Sequence, residues 1–289
     1  MEESQLEKIK QEVLKLLGTK INDIIVATRK GADMIVLTEK TDGDSITEAD
    51  AAIGDMLDAE LVELVPESIV IQEESFNEHV FKKIANYKYI WVVDPIDGTK
   101  AFRIPGNTEW GVGICLLEDL SPILSFVYSP ERLINKKPFL FVADKYHDGI
   151  YLDGKRLEVN SAEGEVCYTS HVHRAEERNE TENKLAELFP RNKMIRAYDG
   201  YSTLMQFAFV ALDVETRVFS RRGANIWDII QSAYLVEKQG GQVYYKDGTK
   251  VFPLDLGLLK YEAEDDRLVM PFTVASSTKN KEKITALFR

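Results

Sequence analysis

The chain has 289 residues, 44% of them hydrophobic and 29% charged, which gives an ordinary globular protein enough apolar content for one large domain or two sharing an interface. A formal net charge of −12 argues against a nucleic-acid partner, because such a surface repels a phosphate backbone instead of neutralising it. An anionic substrate would need local help, which metal ions held by a few of the 48 acidic residues could give.

The opening Met-Glu-Glu-Ser-Gln-Leu-Glu-Lys has no basic segment followed by an apolar stretch. No run approaches ~18 apolar residues, so a cytoplasmic protein without a membrane partner is expected. Leu6, Ile9, Val13 and Leu16 recur at helical spacing over 4–17, predicting an amphipathic helix that ends at Gly18. After the apolar segment Ile24–Ala27, the Gly- and Asp-containing stretch 40–45 signals a turn or mobile loop. A second helix is expected from Thr47 to about Leu64.

Ser68–Gln72 and Tyr89–Val93 are short β-branched runs, and each stops at acids: Glu73-Glu74 and Asp94. Open α/β sheets keep ligands at the carboxyl ends of their strands. Further strands are expected at 110–117, 122–128 and 137–143, with turns at Glu118-Asp119, Ser129-Pro130 and Asp153-Gly154, so this half closes as an antiparallel meander. Beyond Asn160 the pattern becomes helix 177–188, strand 194–197, helix 201–212, strand 214–219, helix 227–238 and strand 242–245. Two α/β sub-domains, 1–159 and 160–289, with the site at their junction, are the expected organisation. Cys115 and Cys167 form neither a disulfide framework nor a zinc pattern, and His171 and His173, alternating as on a strand, have no further His or Cys near them.

The hexapeptide Asp94-Pro95-Ile96-Asp97-Gly98-Thr99 carries the chemistry. Two carboxylates three residues apart at a turn can point into one space, and Mg²⁺ prefers hard oxygen ligands. The carbonyl of Ile96 is a further candidate ligand, and Gly98 lets the main chain approach a bound group closely. If Gly98 and Thr99 open a helix, their N–H groups face an anion. Asp-Pro and Asp-Gly are also common turn dipeptides; Glu73-Glu74 and the distant Trp227-Asp228 give the segment acidic company.

Lys40-x-Asp42 with Thr47-Glu48-Ala49-Asp50, Ile71-Gln72-Glu73-Glu74, the hexapeptide, and Ile226-Trp227-Asp228-Ile229 followed by Gly240-Gly241 together resemble the ordered motifs of the inositol monophosphatase family. That family comprises Mg²⁺-dependent, lithium-sensitive phosphomonoesterases, among them 3′(2′),5′-bisphosphate nucleotidases, archaeal fructose-1,6-bisphosphatases and related histidinol-phosphate phosphatases. The resemblance implies an α/β fold, an αβαβα layered sandwich, and hydrolysis of a small phosphorylated metabolite. It implies that Glu73, Asp94 and the Ile96 carbonyl hold one metal, that Asp94, Asp97 and Asp228 hold a second, and that a third, weaker ion lies near Glu73. Two ions about 3.5–4 Å apart serve the attacking and leaving oxygens of an in-line displacement. Glu74 and Thr99, the latter bonded to Asp50, would activate the water, and the N–H groups of Gly98 and Thr99 would bind phosphate. Lys40 and Asp42 would lie in a mobile loop over the metals. Mn²⁺ as a substitute, inhibition by Li⁺ or Ca²⁺, and a homodimer are implied likewise.

The chain departs from the family pattern in places. Gln72 replaces a glycine, and Ile230 and Gln231 replace small residues, so looser packing of that helix is expected. Lys100-Ala101-Phe102 after the hexapeptide looks more like the nucleotidase and histidinol-phosphatase branches, as Asp199-Gly200-Tyr201 looks like the latter. Arg221 and Arg222 stand where inositol-binding members carry an acid, and two arginines suit a second phosphate or a carboxylate better than a polyol. Inositol phosphate, a bisphosphorylated nucleotide, a sugar bisphosphate and histidinol phosphate all stay open as substrates. A non-catalytic metal or phosphate binder is the other reading, against which the pair Glu74 and Thr99 speaks.

Overall fold

A computed structural model describes residues 1–30, 36–39, 45–134, 137–158, 166–170, 194–196, 202–212, 217–221, 223–271 and 273–276, with isolated positions at 183, 187, 282 and 286. The first helix, α1 (Glu3–Leu16), buries Leu6, Ile9, Val13 and Leu16 as their spacing predicts. It does not stop at Gly18. A π-helical turn, Leu17–Ile21, carries it straight into α2 (Asn22–Lys30). Glycine ends a helix when it takes the left-handed conformation; Gly18 does not, and lies on the exposed side. The wider turn re-phases the apolar stripe so that Leu17, Ile21 and Ile25 join the same core. A two-stranded hairpin, β1 (Val36–Glu39) with β2 (Ser45–Thr47), then leads into α3 (Glu48–Leu64).

A seven-stranded sheet forms the centre of the first half: β3 (Ser68–Gln72), β4 (Tyr89–Asp97), β5 (Gly111–Glu118), β6 (Ser121–Ile134), β7 (Lys137–Asp144), β8 (Tyr151–Leu152) and β9 (Lys155–Arg156), adjacent in that order. Only β3 and β4 are parallel among them; every other pair is antiparallel. The short α4 (Glu78–Lys83) makes the crossover between the parallel pair. Asp153-Gly154 forms the expected tight hairpin, with φ of 49° and 73°. Ser129-Pro130 is not a turn. The strand continues through it because a register shift between Ser129 and Leu133 absorbs the proline's missing donor.

Alternation along β4 divides the core. Trp91 and Val93 face α1 and α3, whereas Ile90 and Val92 face the helices of the second half, α6 (Thr203–Ala208) and α7 (Ile230–Lys238). Every one of these four β4 side chains is at most 1% exposed, each worth about 1.5–3 kcal/mol of apolar burial. The 201–212 helix is shorter than expected, finishing as a 3₁₀ turn over Phe209–Leu212, and the 227–238 helix opens with a 3₁₀ turn, Ile226–Asp228, that ends on an acid.

Behind α7 stands a five-stranded sheet in the order β11 (Met194–Arg196), β10 (Val166–Ser170), β12 (Arg217–Arg221), β17 (Thr273–Ser276), β14 (Gln242–Tyr245). A small sheet of β13 (Ala224–Asn225), β16 (Arg267–Met270) and β15 (Lys260–Glu262) flanks it. Among the described residues, helices α1–α3, the first sheet, α6 with α7, and the second sheet follow one another as layers of the α/β sandwich. The helix expected at 177–188, His171, His173 and Asp199–Tyr201 lie outside the described residues.

Glu118, at the end of β5, ties the sheet's edge together. Its carboxylate accepts from Lys145 Nζ at 2.8 Å and Tyr89 Oη at 3.1 Å, with Lys88 Nζ at 3.3 Å and the Met1 amine also on it. Burial by itself raises its pKa, but Lys145, the Met1 amine and Tyr89 outweigh that and hold it down at about 2. A carboxylate whose folded pKa lies below its unfolded value of about 4.3 stabilises the fold above that value and stops doing so as pH falls toward the folded one. Glu118→Gln should therefore lower the midpoint of urea unfolding at pH 7 and flatten its decline between pH 4.5 and pH 2; parallel pH curves for variant and wild type would contradict the assignment.

Candidate active site

Parallel pairing of β3 and β4 places Gln72 opposite Val93, so the next residue on each strand, Glu73 and Asp94, emerges beside the other. Beyond Asp94 the register of β4 against β5 shifts, Asp94 facing Gly113 and Asp97 facing Gly111. Pro95 cannot donate to the ladder, and the resulting irregularity turns both aspartates into one space. Asp228 arrives from the 3₁₀ turn before α7. One carboxylate oxygen from each of Glu73, Asp94 and Asp228 lies within 4.8 Å of the other two.

Asp94 is fully buried, and among the described residues neither of its oxygens has a hydrogen-bond partner. Burial first, then the charges of Glu73, Asp97, Asp228 and Asp50, push its carboxyl well above the usual carboxylate range. A buried, unsatisfied acid surrounded by acids destabilises the protein by itself. A hard divalent cation removes that penalty, and an all-oxygen donor set of this kind suits Mg²⁺.

The remaining acids are held differently. Asp97 Oδ2 accepts 2.7 Å from Ser202 Oγ and also accepts from the N–H of Leu204, so the second half of the chain fixes the orientation of a side chain from the first. Gly98 adopts φ of 86°, and a Cβ there would sit 2.9 Å from both Glu109 O and Ser202 N, which are themselves hydrogen-bonded at 3.0 Å. Glycine is required by the conformation and by the space. Thr99 opens the single-turn α5 (Thr99–Phe102), its Oγ1 3.3 Å from Asp50 Oδ1 and 3.1 Å from Ile96 O. Asp50 closes a capping box with Thr47 at the start of α3, accepting the Thr47 N–H at 2.8 Å. Its other oxygen is thereby left to face Thr99.

Tertiary packing holds the two acidic segments together. Phe76, just past Glu73-Glu74, meets Trp227, next to Asp228, at 5.5 Å between ring centroids, a contact of about 0.5–1.5 kcal/mol beyond area burial. Gln72 compensates for the glycine it replaces. Its side chain lies against Gly54 of α3, where any Cβ would come within 2.6 Å of Gln72 Oε1, and it hydrogen-bonds Asp58. Ser75 Oγ donates to the same Asp58 at 3.0 Å, anchoring the turn that carries Glu73 and Glu74. The expected loosening of the late helix does not occur. Gln231 is fully buried, its side-chain Nε2 donates to Val92 O at 3.1 Å, and its main-chain carbonyl accepts from Ser125 Oγ at 3.0 Å; Gly113, with a Cβ position 3.1 Å from that side chain, leaves it room.

The structure therefore brings Glu73, Asp94 and Asp228 together, sets Asp97 and Asp50 near enough to act on the Asp94 carboxyl, and joins Thr99, next to Gly98, to Asp50 and the Ile96 carbonyl. Glu74 sits half-buried beside Glu73, and Lys100 half-buried on α5. Arg221 ends β12 with its side chain outside the described residues, as are Lys40, Asp42 and Arg222. Ser202, Phe76 and Gln231 were not legible as site supports, since each acts through a partner remote in sequence. Thr47 was legible only as the start of the second helix.

A model of the inositol monophosphatase family matches residues 3–288. The chain belongs to that family. Among curated relatives, the 3′(2′),5′-bisphosphate nucleotidase CysQ of Escherichia coli strain K12 is 27% identical over 240 residues, covering 83% of this chain and 90% of its own. The CysQ of Buchnera aphidicola is 28% identical over 211 residues, 72% of this chain and 74% of its own. An inositol monophosphatase from Thermotoga maritima superposes with a TM-score of 0.71 at 19% identity over 97% of this chain and 96% of that one. A structure of an IMPase/NADP phosphatase with Mg²⁺ and phosphate reaches 0.70 at 20% identity, over 98% and 95%. These two share the fold. As a member of the family, this chain is a phosphoric monoester hydrolase acting on a phosphorylated small molecule, and the acidic cluster fits the family's Mg²⁺ dependence. No helix among the described residues is long and apolar enough to cross a membrane.

Asp94 should behave as a liability without metal and an asset with it. In EDTA, Asp94→Asn should melt at or above the wild-type temperature; in millimolar Mg²⁺ the wild type should rise and the variant should not. A variant less stable than wild type in EDTA would show that Asp94 has a structural partner and is not a vacant ligand.

Proposed function

We propose that this enzyme is a Mg²⁺-dependent phosphatase preferring a bisphosphorylated nucleotide of the 3′(2′),5′ type. The buried Asp94, with its two unpartnered oxygens amid Glu73, Asp97 and Asp228, carries the metal-dependent part of that reading. Glu73, Asp94, the Ile96 carbonyl, Asp97 and Asp228 would hold two to three ions. Such ions neutralise phosphoryl oxygens and lower the pKa of a water. The chain's own residues do the rest. Asp50 accepts from Thr99 and so orients the threonine hydroxyl; the water's proton would pass to Thr99 Oγ1 as the hydroxyl proton moves on to Asp50, or directly to the Glu74 carboxylate. Gly98 and Thr99 N–H groups would hold the phosphate that is released. Ser202 and Leu204 keep Asp97 from rotating away.

The nucleotide preference is supported by the CysQ relatives, which span most of the chain, and by Lys100, Arg221 and Arg222, cations suited to a second phosphate. Lys40 and Asp42 are proposed to lie in a loop that covers the metals. Sub-domains divided near residue 160, a homodimer, Mn²⁺ as a substitute and inhibition by Li⁺ or Ca²⁺ belong to the same proposal. Phosphate release from adenosine 3′,5′-bisphosphate, inositol-1-phosphate, fructose-1,6-bisphosphate and histidinol phosphate, each with and without Li⁺, is the test. The nucleotide should be preferred at least tenfold in kcat/KM, and a preference for any other ester would replace this reading. Asp94→Asn should lose at least a hundredfold in kcat, about 2.7 kcal/mol; turnover near wild type would remove the site assignment.

A further inference from the structure

The chain leaves the first sheet at Asp97 and re-enters it at Gly111, which are paired partners, so residues 98–110 form a closed excursion whose opening residues belong to the site. Three backbone carbonyls of that excursion, those of Phe102, Ile104 and Asn107, point at one side chain from another layer: Arg29 near the end of α2. Its Nη1 donates to Phe102 O and, at 3.1 Å, to Ile104 O; its Nη2 donates to Asn107 O at 3.1 Å. The same guanidinium takes both carboxylate oxygens of Glu131 on β6, with Nε to Oε1 at 3.0 Å and Nη2 to Oε2. The rings of Phe102 and Trp110 lie 5.4 and 5.9 Å from its Cζ, and they pack edge to face on each other at 4.8 Å. Trp110 Nε1 closes the set by donating to Asn107 O at 3.1 Å. All five N–H groups of an arginine can be engaged in this arrangement, and the side chain is only 10% exposed.

An ion pair alone would require only Glu131. The carbonyl contacts instead fall on the last turn of α5 and on the two turns after it, where Phe102 N bonds back to Gly98 O at 2.9 Å and Arg103 N to Thr99 O at 3.1 Å. Any shift of Phe102 is therefore passed to Gly98 and Thr99 through a single helical turn. Thr99 in turn meets Asp50. We propose that Arg29 is a positioning residue for phosphate-ester hydrolysis: it clamps residues 102–107 so that Thr99 and Asp97 hold the geometry that the metals and the water need. This rests on the assignment of Asp97 and Thr99 to the active site. The guanidinium of Arg29 is taken up by Glu131 and the three carbonyls, so it acts through the excursion it holds.

Arg29→Gln and Arg29→Lys test the proposal in the full chain, using the panel ester that the wild type hydrolyses fastest and Mg²⁺ alone as the binding probe. Arg29→Gln should fold, as judged by far-UV circular dichroism. It should lose about tenfold in kcat, need severalfold more Mg²⁺ for half-maximal rate and for calorimetric binding, and keep KM within threefold. Arg29→Lys keeps the charge but cannot fork between Glu131 and the carbonyls, so it should recover thermal stability without recovering kcat. If Arg29→Gln keeps kcat and Mg²⁺ binding within twofold of wild type, even with a lowered melting temperature, Arg29 is a structural tie and the proposal is overturned. The same result in Arg29→Lys decides the matter should the glutamine variant not fold. Thr99→Ala, assayed in parallel, separates the two layers of inference: near-wild-type turnover there removes the site assignment itself, whereas an inactive Thr99→Ala beside a normal Arg29→Gln removes only the clamp.

Discussion

The constraint on which the site depends is the burial of Asp94, without a hydrogen-bond donor among the described residues, amid Glu73, Asp97, Asp228 and Asp50. Like charges in a low-dielectric interior repel strongly, and an acid without hydrogen-bond donors has no local means of remaining ionised. Sequences keep such a feature when something that binds the folded state compensates for it. A divalent cation, on which the family depends, fits that role, and the charge density that destabilises the chain without it would be what holds the ion.

Much of the surrounding structure keeps that cluster from relaxing. The parallel pair β3 and β4 sets Glu73 beside Asp94, the irregularity at Pro95 adds Asp97, and the Phe76–Trp227 contact brings Asp228 across from the second half. Ser202 and the Leu204 N–H hold Asp97 from the same side. Each of these supports is a neutral donor or a ring, which orients an acid without itself bringing a charge. Asp50 follows the same logic, one oxygen spent on the capping box and the other facing Thr99.

Local rules made a large part of this legible. Short β-branched runs that stop at acids located β3 and β4, and the helix expected from Thr47 matched α3. Where the reading erred, a longer-range term overrode a local one. Gly18 did not end a helix, because a π turn let the apolar stripe continue; Ser129-Pro130 did not turn the chain, because pairing with β7 carried β6 through it. Gln231, read with Ile230 as loosening the late helix, is buried and bonded to Val92 O, and Gln72, read as altering backbone freedom, is buried against Gly54 and bonded to Asp58, the space being supplied by glycines elsewhere. The strands β13 and β15 to β17 are two to four residues long, too short for periodicity to register.

The sequence by itself determined the ligand chemistry: which acids end strands, which glycine opens the turn, and the reaction class that this ordered set implies. Those are properties of residue type and spacing over a few positions. Tertiary structure alone decided that Asp94 is stripped of hydrogen-bond donors, that Ser202 orients Asp97 from 105 positions away, and that Arg29 gathers three carbonyls of a distant excursion. Burial and long-range contact depend on how the layers stack, and no local pattern in the chain encodes that.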